Sequence, residues 1–489
     1  MIAAPSSPPE FRPVPLPEAA RLPLRLYRLL FLPVLAGLLP GFALRMIRRG
    51  RYRERFGERF ARYGKEVRET LAGGGWTWIH AVSVGEMMMG LKLARALRER
   101  EPTLRILLST TTSTGDAVAA AALEREAGEA ARCGGALMRV YYPVDFAPVV
   151  RRALEVIRPA RLVLVDKELW PNMIAECYRR GIPVSIVNAR LSPRSGRRFH
   201  RFRRWVGPFF GMLDRVCVQE SADGLRWAAL GVRPEAIVPT GSLKYDTGGV
   251  GGAAADAGGG RADFRRWLDE AGARGPILLG GSTFPGEEAL LARVLLRLRE
   301  RVPGLFLVLA PRHVERCREV EEVLREAGVR WVRRSAFGAT AGGGASGPVD
   351  CLLVDTTGEL AEWYAQASVC FVGKSLSPEA TGGQNPAEPL LAGKPVLFGP
   401  AMANFEGLVR PLLEAGGATQ VRAEEELEAA VARLLAEPAL AAEQVERARA
   451  VLRVHEGATH RVAARLLALA PAQAAGSPEP RGGDQQRHG

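Results

Sequence analysis

Residues 381–400, TGGQNPAEPLLAGKPVLFGP, combine a glycine pair, a predicted helix start and an acidic side chain. Gly382 and Gly383 would let the backbone approach a ligand closely. The helix predicted to open near Pro386 would direct free N–H groups and a positive dipole end toward a phosphate. Glu388, in the first turn of that helix, is suited to accept hydrogen bonds from two sugar hydroxyls. The segment therefore predicts a nucleotide-sugar site, and an ordinary strand-to-helix turn is the alternative.

A second candidate lies in residues 80–86, HAVSVGE, which leave an apolar run and enter a helical pattern. Gly85 permits a turn there, and Glu86 falls at the predicted helix start. A carboxylate in that position can act as a general base toward a hydroxyl group. The alternative is a first-turn glutamate that only complements the helix dipole.

Charged residues follow other apolar runs, where parallel strands would end. Asp166 and Glu168 come directly after the run 162–165 and form either a solvated turn or part of a site. Lys244, in the sequence GSLKYD, precedes a glycine-rich stretch from which it could reach a phosphate. A solvated loop lysine is the alternative for that position.

Two segments of the C-terminal half offer further phosphate-binding groups. Arg312, in the sequence APRH, carries a guanidinium that suits bidentate contact with a phosphate. Thr357, Gly358 and Glu359 open a predicted helix after an apolar run and would supply free N–H groups. Each segment alone fits an ordinary surface helix end equally well.

Several well-known binding motifs are present only in incomplete form or are missing from the expected position. In the G-x-x-x-x-G stretch that begins at Gly281, Glu287 stands where a phosphate-binding loop requires lysine. His455 and His460 are five residues apart, whereas the histidines of a zinc-binding helix are about four apart. No G-x-G-x-x-G follows the first apolar run. These departures disfavour a nucleoside triphosphatase, a zinc hydrolase and a simple dehydrogenase.

Short apolar runs alternate with helical patterns from Trp76 onward, and these elements must position the candidates. The runs are continuous in apolar character, as expected for parallel strands that are buried on both faces. The predicted strands are 76–82, 104–110, 138–142, 161–165, 183–187, 215–218, 277–280, 305–310, 329–332, 351–354, 369–373 and 396–398. This order predicts two Rossmann-like, doubly wound α/β halves that face a central cleft, with ligands at the carboxyl ends of the strands.

The N-terminal region combines an apolar segment with a dense cluster of positive charge. Residues 22–47 hold about sixteen apolar residues bracketed by arginines, where a full membrane span needs about twenty. This length fits a short tilted span, a re-entrant helix or an interfacial helix. Tyr52, Phe56, Phe60 and Tyr63 fall at helical spacing among arginines, which predicts an amphipathic helix on anionic lipid. Nucleic-acid binding and packing on the protein's own body are the alternatives.

The overall composition bounds the remaining choices. The chain has 489 residues, a net charge of +14 and six scattered cysteines without a C-x-x-C pair, which favours a reducing cytoplasm over disulfides or zinc. The predicted segments are an N-terminal tail (1–21), an anchor with a basic stretch (22–65), an N-terminal α/β domain (66–246), a Gly/Ala-rich linker (247–272), a C-terminal α/β domain (273–470) and a disordered tail (471–489).

Taken in order, the motifs resemble those of the lipid A Kdo (3-deoxy-D-manno-octulosonic acid) transferases over about residues 22–470. The motifs that carry the resemblance are HAVSVGE, LLSTTTSTG, ELWPN, IPVSIVNARLS, GSLKYD, GGSTFPGEE, LAPRH, DTTGEL, FVGKSL, GGQNPAEP and KPVLFGP. The resemblance implies a GT-B fold and an inverting, metal-independent transfer that uses no cofactor. It also implies CMP-Kdo as donor, the lipid A precursor (lipid IVA) as acceptor, and a place on the cytoplasmic face of the inner membrane. Anionic lipid, not nucleic acid, would be the partner.

The resemblance assigns roles to individual residues. Glu86 matches the general base, and Lys244 matches a lysine implicated in stabilising the departing phosphate. Asp166 stands where the family has the first glutamate of E-T-E, so the shorter side chain leaves Glu168 as a neighbouring candidate for transition-state stabilisation. The residues that match the CMP-binding segments are Pro311, Arg312, Thr357, Gly358, Glu359, Asn385, Pro386, Ala387 and Glu388.

Two alternatives stay open at this point. Another GT-B nucleotide-sugar transferase or an epimerase would share the donor-binding pattern. A membrane-tethered nucleic-acid-binding protein would share the basic N-terminal region, but its binding would fall steeply with salt.

Overall fold

The computed structural model describes residues 14–49, 55–166, 168–191, 193–246, 260–337, 349–377, 380 and 382–469. The chain divides into two compact units. The first comprises Met1–Asp246 together with Gly457–Gly489, and the second comprises Thr247–Glu456. Each unit contains one seven-stranded sheet.

The sheet of the first unit has the strand order β3-β2-β1-β4-β5-β6-β7, and all neighbouring strands are parallel. Its strands are β1 (Trp76–His80), β2 (Arg105–Thr110), β3 (Ala136–Tyr141), β4 (Pro159–Val165), β5 (Val184–Ala189), β6 (Arg215–Val218) and β7 (Ile237–Pro239). Because β2 and β4 lie on opposite sides of β1, the strand order reverses there. Ligands of such sheets bind at the carboxyl ends of the strands beside that point.

Apolar side chains fill both faces of this sheet. Trp78 and Leu164 belong to the core on one face, whereas Ile79 and Val163 belong to the core on the other. The helices of the first unit are Glu18–Arg49, Lys65–Leu71, Val84–Arg100, Ser113–Arg132, Ala147–Ile157, Pro171–Arg179, Pro193–Arg201, Arg203–Phe210, Ser221–Ala229 and Ala458–Leu467.

The sheet of the second unit has the strand order β10-β11-β9-β8-β12-β13-β14, also with parallel neighbours. Its strands are β8 (Ile277–Thr283), β9 (Phe306–Pro311), β10 (Trp331–Arg333), β11 (Cys351–Leu353), β12 (Val369–Val372), β13 (Val396–Phe398) and β14 (Thr419–Gln420). Its helices are Gly260–Glu270, Glu287–Leu298, Cys317–Glu326, Leu360–Gln366, Ala387–Leu391, Glu406–Glu414, Glu424–Ala436 and Pro438–Leu452. Here the order reverses beside β8, which lies between β9 and β12.

The predicted α/β organisation is confirmed. Every apolar run named above forms a strand, with ends that differ by a few residues. The sequence missed β7 and β14 because neither is a buried apolar run: β7 (IVP) is partly exposed, and β14 (TQ) is polar. The prediction relied on continuous apolar runs.

The predicted domain boundaries need two corrections. The helix Ala458–Leu467 belongs to the first unit, although the predicted C-terminal domain ran to residue 470. Asp246 is buried and accepts hydrogen bonds at 2.7 Å from the backbone N–H groups of Gly457 and Thr459, which caps this helix. In addition, Gly260–Glu270 is helical and part of the second unit, although it was assigned to the linker.

The first helix, Glu18–Arg49, packs one face of its N-terminal half against the first unit. Leu24 is buried there, and the Tyr27 hydroxyl donates a hydrogen bond to Asp145 Oδ2 at 2.9 Å. The opposite face exposes Leu22, Leu29, Leu30 and Leu32. Within the ranges given above, no helix is both long enough and apolar enough to cross a membrane. The predicted helix is therefore present, and its role as a membrane anchor stays a prediction.

The basic segment that follows does not form one long amphipathic helix, so that prediction is wrong. Tyr52 lies outside the described residues. Phe56–Phe60 is a single 3-10 helix that ends at Ala61, whose φ is 55°. Beyond this break the Tyr63 ring is buried in the core, so it cannot share an exposed face with Phe56 and Phe60.

Two arginines of the predicted basic face bind the protein itself. Arg55 Nη1 donates to Asp116 Oδ1 at 3.1 Å. Arg59 Nη1 donates to the carbonyl oxygen of Thr111 at 2.8 Å, and its guanidinium lies 4.1 Å from the centre of the Tyr141 ring. For these two side chains, packing on the protein's own body is the correct alternative.

Candidate active site

The first unit brings Glu86 and Asp166 to neighbouring points of one sheet edge. Glu86 lies in the first turn of the helix that follows β1, and Asp166 directly follows β4. His80 at the end of β1 pairs in register with Leu164, two residues before Asp166. Both carboxylates therefore follow strands that flank the point where the strand order reverses, which is where ligands of such sheets bind.

Glu86 is held in a reciprocal capping box. Its N–H donates to Ser83 Oγ at 3.3 Å, and the Ser83 hydroxyl donates to Glu86 Oε1 at 2.9 Å. Glu86 Oε2 accepts the Val82 N–H at 2.8 Å. The capping role considered as the alternative is thus real, but the side chain is still partly exposed. A fixed, accessible carboxylate can accept a proton from a hydroxyl that approaches it.

Asp166 turns the chain sharply at the end of β4. Its N–H donates to the carbonyl oxygen of Val187 at 2.9 Å, which continues the pairing of β4 with β5. Its φ of 68° lies in the left-handed region, where a residue other than glycine pays on the order of 1–3 kcal/mol. Strain of this kind is often found at functional sites. Glu168 is also partly buried nearby, and Lys167 lies outside the described residues.

Lys244 is exposed on a turn that Asn188 fixes. Asn188 Oδ1 accepts hydrogen bonds from the Ser242 hydroxyl at 3.2 Å and from the Leu243 N–H at 3.1 Å. Asn188 is 4% exposed and has a φ of 55°. Sequence reasoning missed this residue; its signal was an amide side chain at the end of the apolar run 183–187.

An aromatic layer lies beneath these strand ends. His80 is fully buried, and its ring stacks on Tyr142 with 3.6 Å between ring centres. Trp170 contacts both rings. Burial lowers the pKa of His80 to about 3, so the imidazole is neutral at physiological pH. His80 therefore acts as a packing residue, and Glu86 is the better base of the two.

The second unit places Pro311 and Arg312 at the carboxyl end of β9. The Arg312 N–H donates to the carbonyl oxygen of Thr283 at 3.1 Å, and the side chain is exposed. The guanidinium is thus available for an anion beside the point where the strand order reverses.

The segment after β11 holds its acidic residue in an ion pair. Glu359 receives two hydrogen bonds from Arg334, at 2.9 and 3.0 Å, and a third from the Thr356 hydroxyl at 2.7 Å. Thr357 and Gly358 are exposed, and Gly358 has a φ of 88°. The exposed groups of this segment are therefore backbone and hydroxyl groups, while the Glu359 carboxylate stabilises the loop.

The glycine pair has a packing role that the sequence did not predict. Gly382 and Gly383 have φ values of 88° and 67°. A Cβ atom would lie 2.3 Å from Asn404 Nδ2 at Gly382 and 2.3 Å from Met402 Sδ at Gly383. These glycines let the chain pack against residues 402–404, and the close approach of a ligand to them stays a prediction.

The short helix Ala387–Leu391, which follows the glycine pair, exposes the side chain of Glu388. The Asn385 amide donates to Glu388 Oε1 at 2.9 Å, and Asn385 Oδ1 accepts the Ala387 N–H at 3.2 Å. Glu388 is exposed, and Pro386 and Ala387 are buried beneath it. Asn385 thereby orients the carboxylate, whose Oε2 atom makes no hydrogen bond within the part of the chain that the structure describes.

Glu287 fixes the loop that follows β12, and sequence reasoning missed this function. The side chain is 1% exposed. Its oxygens accept hydrogen bonds, at 2.8 to 3.4 Å, from the backbone N–H groups of Phe284, Lys374, Ser375, Leu376 and Ser377. Glu287 stands where a phosphate-binding loop has lysine. Its carboxylate is thus itself the acidic group that these backbone N–H groups bind.

The chain is similar to known proteins over most of its length. Residues 54–247 match the family described as 3-Deoxy-D-manno-octulosonic-acid transferase (kdotransferase). The chain is 37% identical over 409 residues to the 3-deoxy-D-manno-octulosonic acid transferase of Bordetella pertussis, covering 82% of this chain and 89% of that protein. It is 32% identical over 388 residues to the enzyme of the same name from Haemophilus influenzae, covering 79% and 84%.

Among solved structures, UDP-GlcNAc 2-epimerase from Neisseria meningitidis, bound to UDP-GlcNAc, covers 80% of this chain and 99% of its own. The TM-score is 0.55 at 12% identity, so this likeness concerns the GT-B fold alone. The aligned stretch of the Bordetella protein is longer than either unit, so the sequence similarity extends over both. The chain therefore belongs to the 3-deoxy-D-manno-octulosonic acid transferase family.

Proposed function

We propose that this protein transfers Kdo from CMP-Kdo to the tetra-acylated precursor of lipid A, lipid IVA, in the synthesis of the lipopolysaccharide core. The relatives' transferase names support the reaction. The single observation that carries the proposal is the Glu86 carboxylate, which Ser83 and Val82 fix at the end of β1. That arrangement is what a base acting on a sugar hydroxyl requires.

The proposed reaction uses the charged side chains described in the candidate active site. Glu86 takes the proton of an acceptor hydroxyl, whose oxygen bonds to the anomeric carbon of Kdo on the face opposite the phosphate. The bond from that carbon to the CMP oxygen breaks, and CMP leaves with the electron pair, which inverts the configuration. Lys244 and Arg312 stabilise the phosphate charge, and Asp166 stabilises positive charge that develops on the sugar.

A direct assay tests this function. The purified full chain is incubated with CMP-Kdo and lipid IVA, and the lipid product is weighed by mass spectrometry. We expect a mass increase of one or more Kdo units and the release of CMP. A lipid of unchanged mass would contradict the proposal, and turnover of a different nucleotide sugar would indicate another GT-B transferase or an epimerase.

For the donor, we propose that Glu388 binds the ribose hydroxyls of the cytidine nucleotide. Its exposed carboxylate is oriented by Asn385 and can accept from both hydroxyls. Hydrogen bonds to a charged group contribute about 1.5–3 kcal/mol, so Glu388→Ala should weaken CMP binding roughly 10- to 100-fold. 2′-Deoxy-CMP, measured by calorimetry, is the internal control. The wild type should prefer CMP, and Glu388→Ala should bind both equally; an undiminished preference would refute the assignment.

We further propose that the protein lies on the cytoplasmic face of the inner membrane through its first helix. Leu29 and Leu32 are 70% and 53% exposed on the face that points away from the body. Phe202 and Trp205, among the arginines of residues 197–204, are also exposed. Exposed apolar side chains beside basic ones suit anionic lipid headgroups.

Replacing Leu29 and Leu32 together by glutamate should therefore reduce co-sedimentation with phosphatidylglycerol vesicles at least about tenfold, because it removes apolar insertion and adds repulsion. Leu225→Glu is the matched control, since Leu225 is 76% exposed on a different helix of the same unit. Equal sedimentation of both variants would contradict this docking face. Binding to DNA in place of vesicles would favour the nucleic-acid alternative.

A further inference from the structure

Lys374 occupies a strained position two residues after β12, which ends at Val372. Its φ of 56° lies in the left-handed region, where a lysine is unfavourable and glycine is not. The buried Glu287 carboxylate accepts the Lys374 N–H at 2.8 Å and holds the next residues of the loop in the same way. The backbone is thus fixed in a conformation that a lysine does not favour by itself, which is typical of functional sites.

The Lys374 side chain extends toward the neighbouring strands. Its ammonium nitrogen lies 5.1 Å from the centre of the Phe284 ring, and Phe284 directly follows β8. The same ring also contacts His313, which follows Arg312 after β9, in an edge-on arrangement with 5.8 Å between ring centres. Lys374 and the residue that follows Arg312 therefore both contact Phe284, near the carboxyl ends of the adjacent strands β12, β8 and β9. A cation over an aromatic face is attracted electrostatically to the ring.

Within the described residues, neither of the two acids that open the helix after β8 pairs with the side chain of Lys374 or Arg312. Glu287 is buried and accepts only backbone N–H groups. Glu288 is buried and paired with Arg316 at 2.9 Å and with the Thr283 hydroxyl at 2.9 Å. The surface formed by Lys374, Phe284 and Arg312 thus presents two separate positive charges to a ligand, and it would attract an anion at each.

We propose that Lys374 binds the carboxylate of the sugar acid in the donor, while Arg312 binds its phosphate. This inference rests on the proposed function, since CMP-Kdo carries two anionic groups, one on the nucleotide and one on the octulosonic acid. The planar fork of Arg312 suits a phosphate, and the point charge of Lys374 suits a single carboxylate. Lys374 is thus a specificity residue that favours binding of donors with an acidic sugar over donors with a neutral sugar.

Calorimetric binding of CMP-Kdo and of CMP to the full chain tests this assignment. In Lys374→Gly the left-handed backbone is relaxed, so the thermal midpoint should not fall. We expect affinity for CMP-Kdo to drop about tenfold, equivalent to about 1.4 kcal/mol, while affinity for CMP stays the same. Lys374→Arg should recover part of the loss because it keeps the charge.

The charge control is Arg433→Ala, which removes one positive charge from a side chain that is 65% exposed on another helix of the same unit. It should alter neither affinity. An equal loss of CMP and CMP-Kdo binding in Lys374→Gly would show that Lys374 contacts the phosphate, and no loss for either would exclude it from the site; both results overturn the carboxylate assignment. A wild type that binds CMP no more weakly than CMP-Kdo, and transfers no Kdo, would instead overturn the proposed function.

Discussion

Replacing Glu86 with glutamine is expected to lower the rate of Kdo transfer by about 10²- to 10⁴-fold, the usual contribution of a general base. Glutamine has nearly the same shape and can still accept the Val82 N–H. It also serves in a capping box as well as glutamate does. The fold and the affinity for CMP-Kdo should therefore be unchanged, and only proton transfer should be lost. Single-turnover assays with saturating donor measure this directly.

Ser83→Ala is the matched control for the structural part of this effect. It removes the hydroxyl that contacts both the N–H and Oε1 of Glu86 but leaves the carboxylate in place. Loss of such a cap costs about 1 kcal/mol of stability. We expect transfer to fall less than tenfold. If Glu86→Gln retained wild-type turnover, or if Ser83→Ala lost as much activity as Glu86→Gln, Glu86 would not be the base.

Replacing Glu287 with alanine is expected to destabilise the second unit by about 3–5 kcal/mol. The change leaves the backbone N–H groups that Glu287 binds without an acceptor in a buried place, and each unsatisfied buried donor costs about 1–3 kcal/mol when water cannot replace the partner. The loop after β12 should lose its fixed conformation. Hydrogen exchange of residues 374–377 should speed up together with the fall in the free energy of unfolding.

Glu425→Ala is the control, because Glu425 is also an acid in the first turn of a helix but is exposed. That change should alter stability by about 0.5 kcal/mol or less. Glu287→Gln should fall between the two, since its amide keeps one acceptor oxygen. A Glu287→Ala protein within about 1 kcal/mol of the wild type, with unchanged exchange at 374–377, would contradict the anchoring role.

The strands and the placement of Glu86 could be predicted because they depend on local signals. An apolar run such as Trp76–His80 buries every side chain, and it is recognisable without its neighbours. Glu86 follows that run after a turn, so its position at the strand end follows from the sequence. The same reasoning placed Asp166 after β4 and Arg312 after β9.

The supporting contacts could not be predicted because they join distant parts of the chain. Glu287 binds a loop 87 residues later, and Asn188 binds a turn 54 residues later. Neither contact produces a periodic pattern of residues from which it could be predicted. The contacts of Gly382 with Asn404 and of Gly383 with Met402, which leave no room for a Cβ atom, could not be predicted for the same reason. Tyr63 was assigned to an exposed helix face because the break at Ala61 carries no glycine or proline.

The second unit is an insertion in the first, because the chain returns to the first unit at Gly457, and the Gly457 and Thr459 N–H groups donate hydrogen bonds to the Asp246 carboxylate. The chain leaves the first unit at Asp246 and returns to it at Gly457, which are hydrogen-bonded to each other. In the part of the chain that the structure describes, this junction interrupts no strand or helix of the first unit. We therefore expect residues 247–456 to be exchangeable between relatives as one segment. Both ends of that segment lie next to the hydrogen bond between Gly457 and Asp246. Chimeras built at this junction would combine the Glu86-bearing unit of one parent with the Arg312-bearing unit of the other.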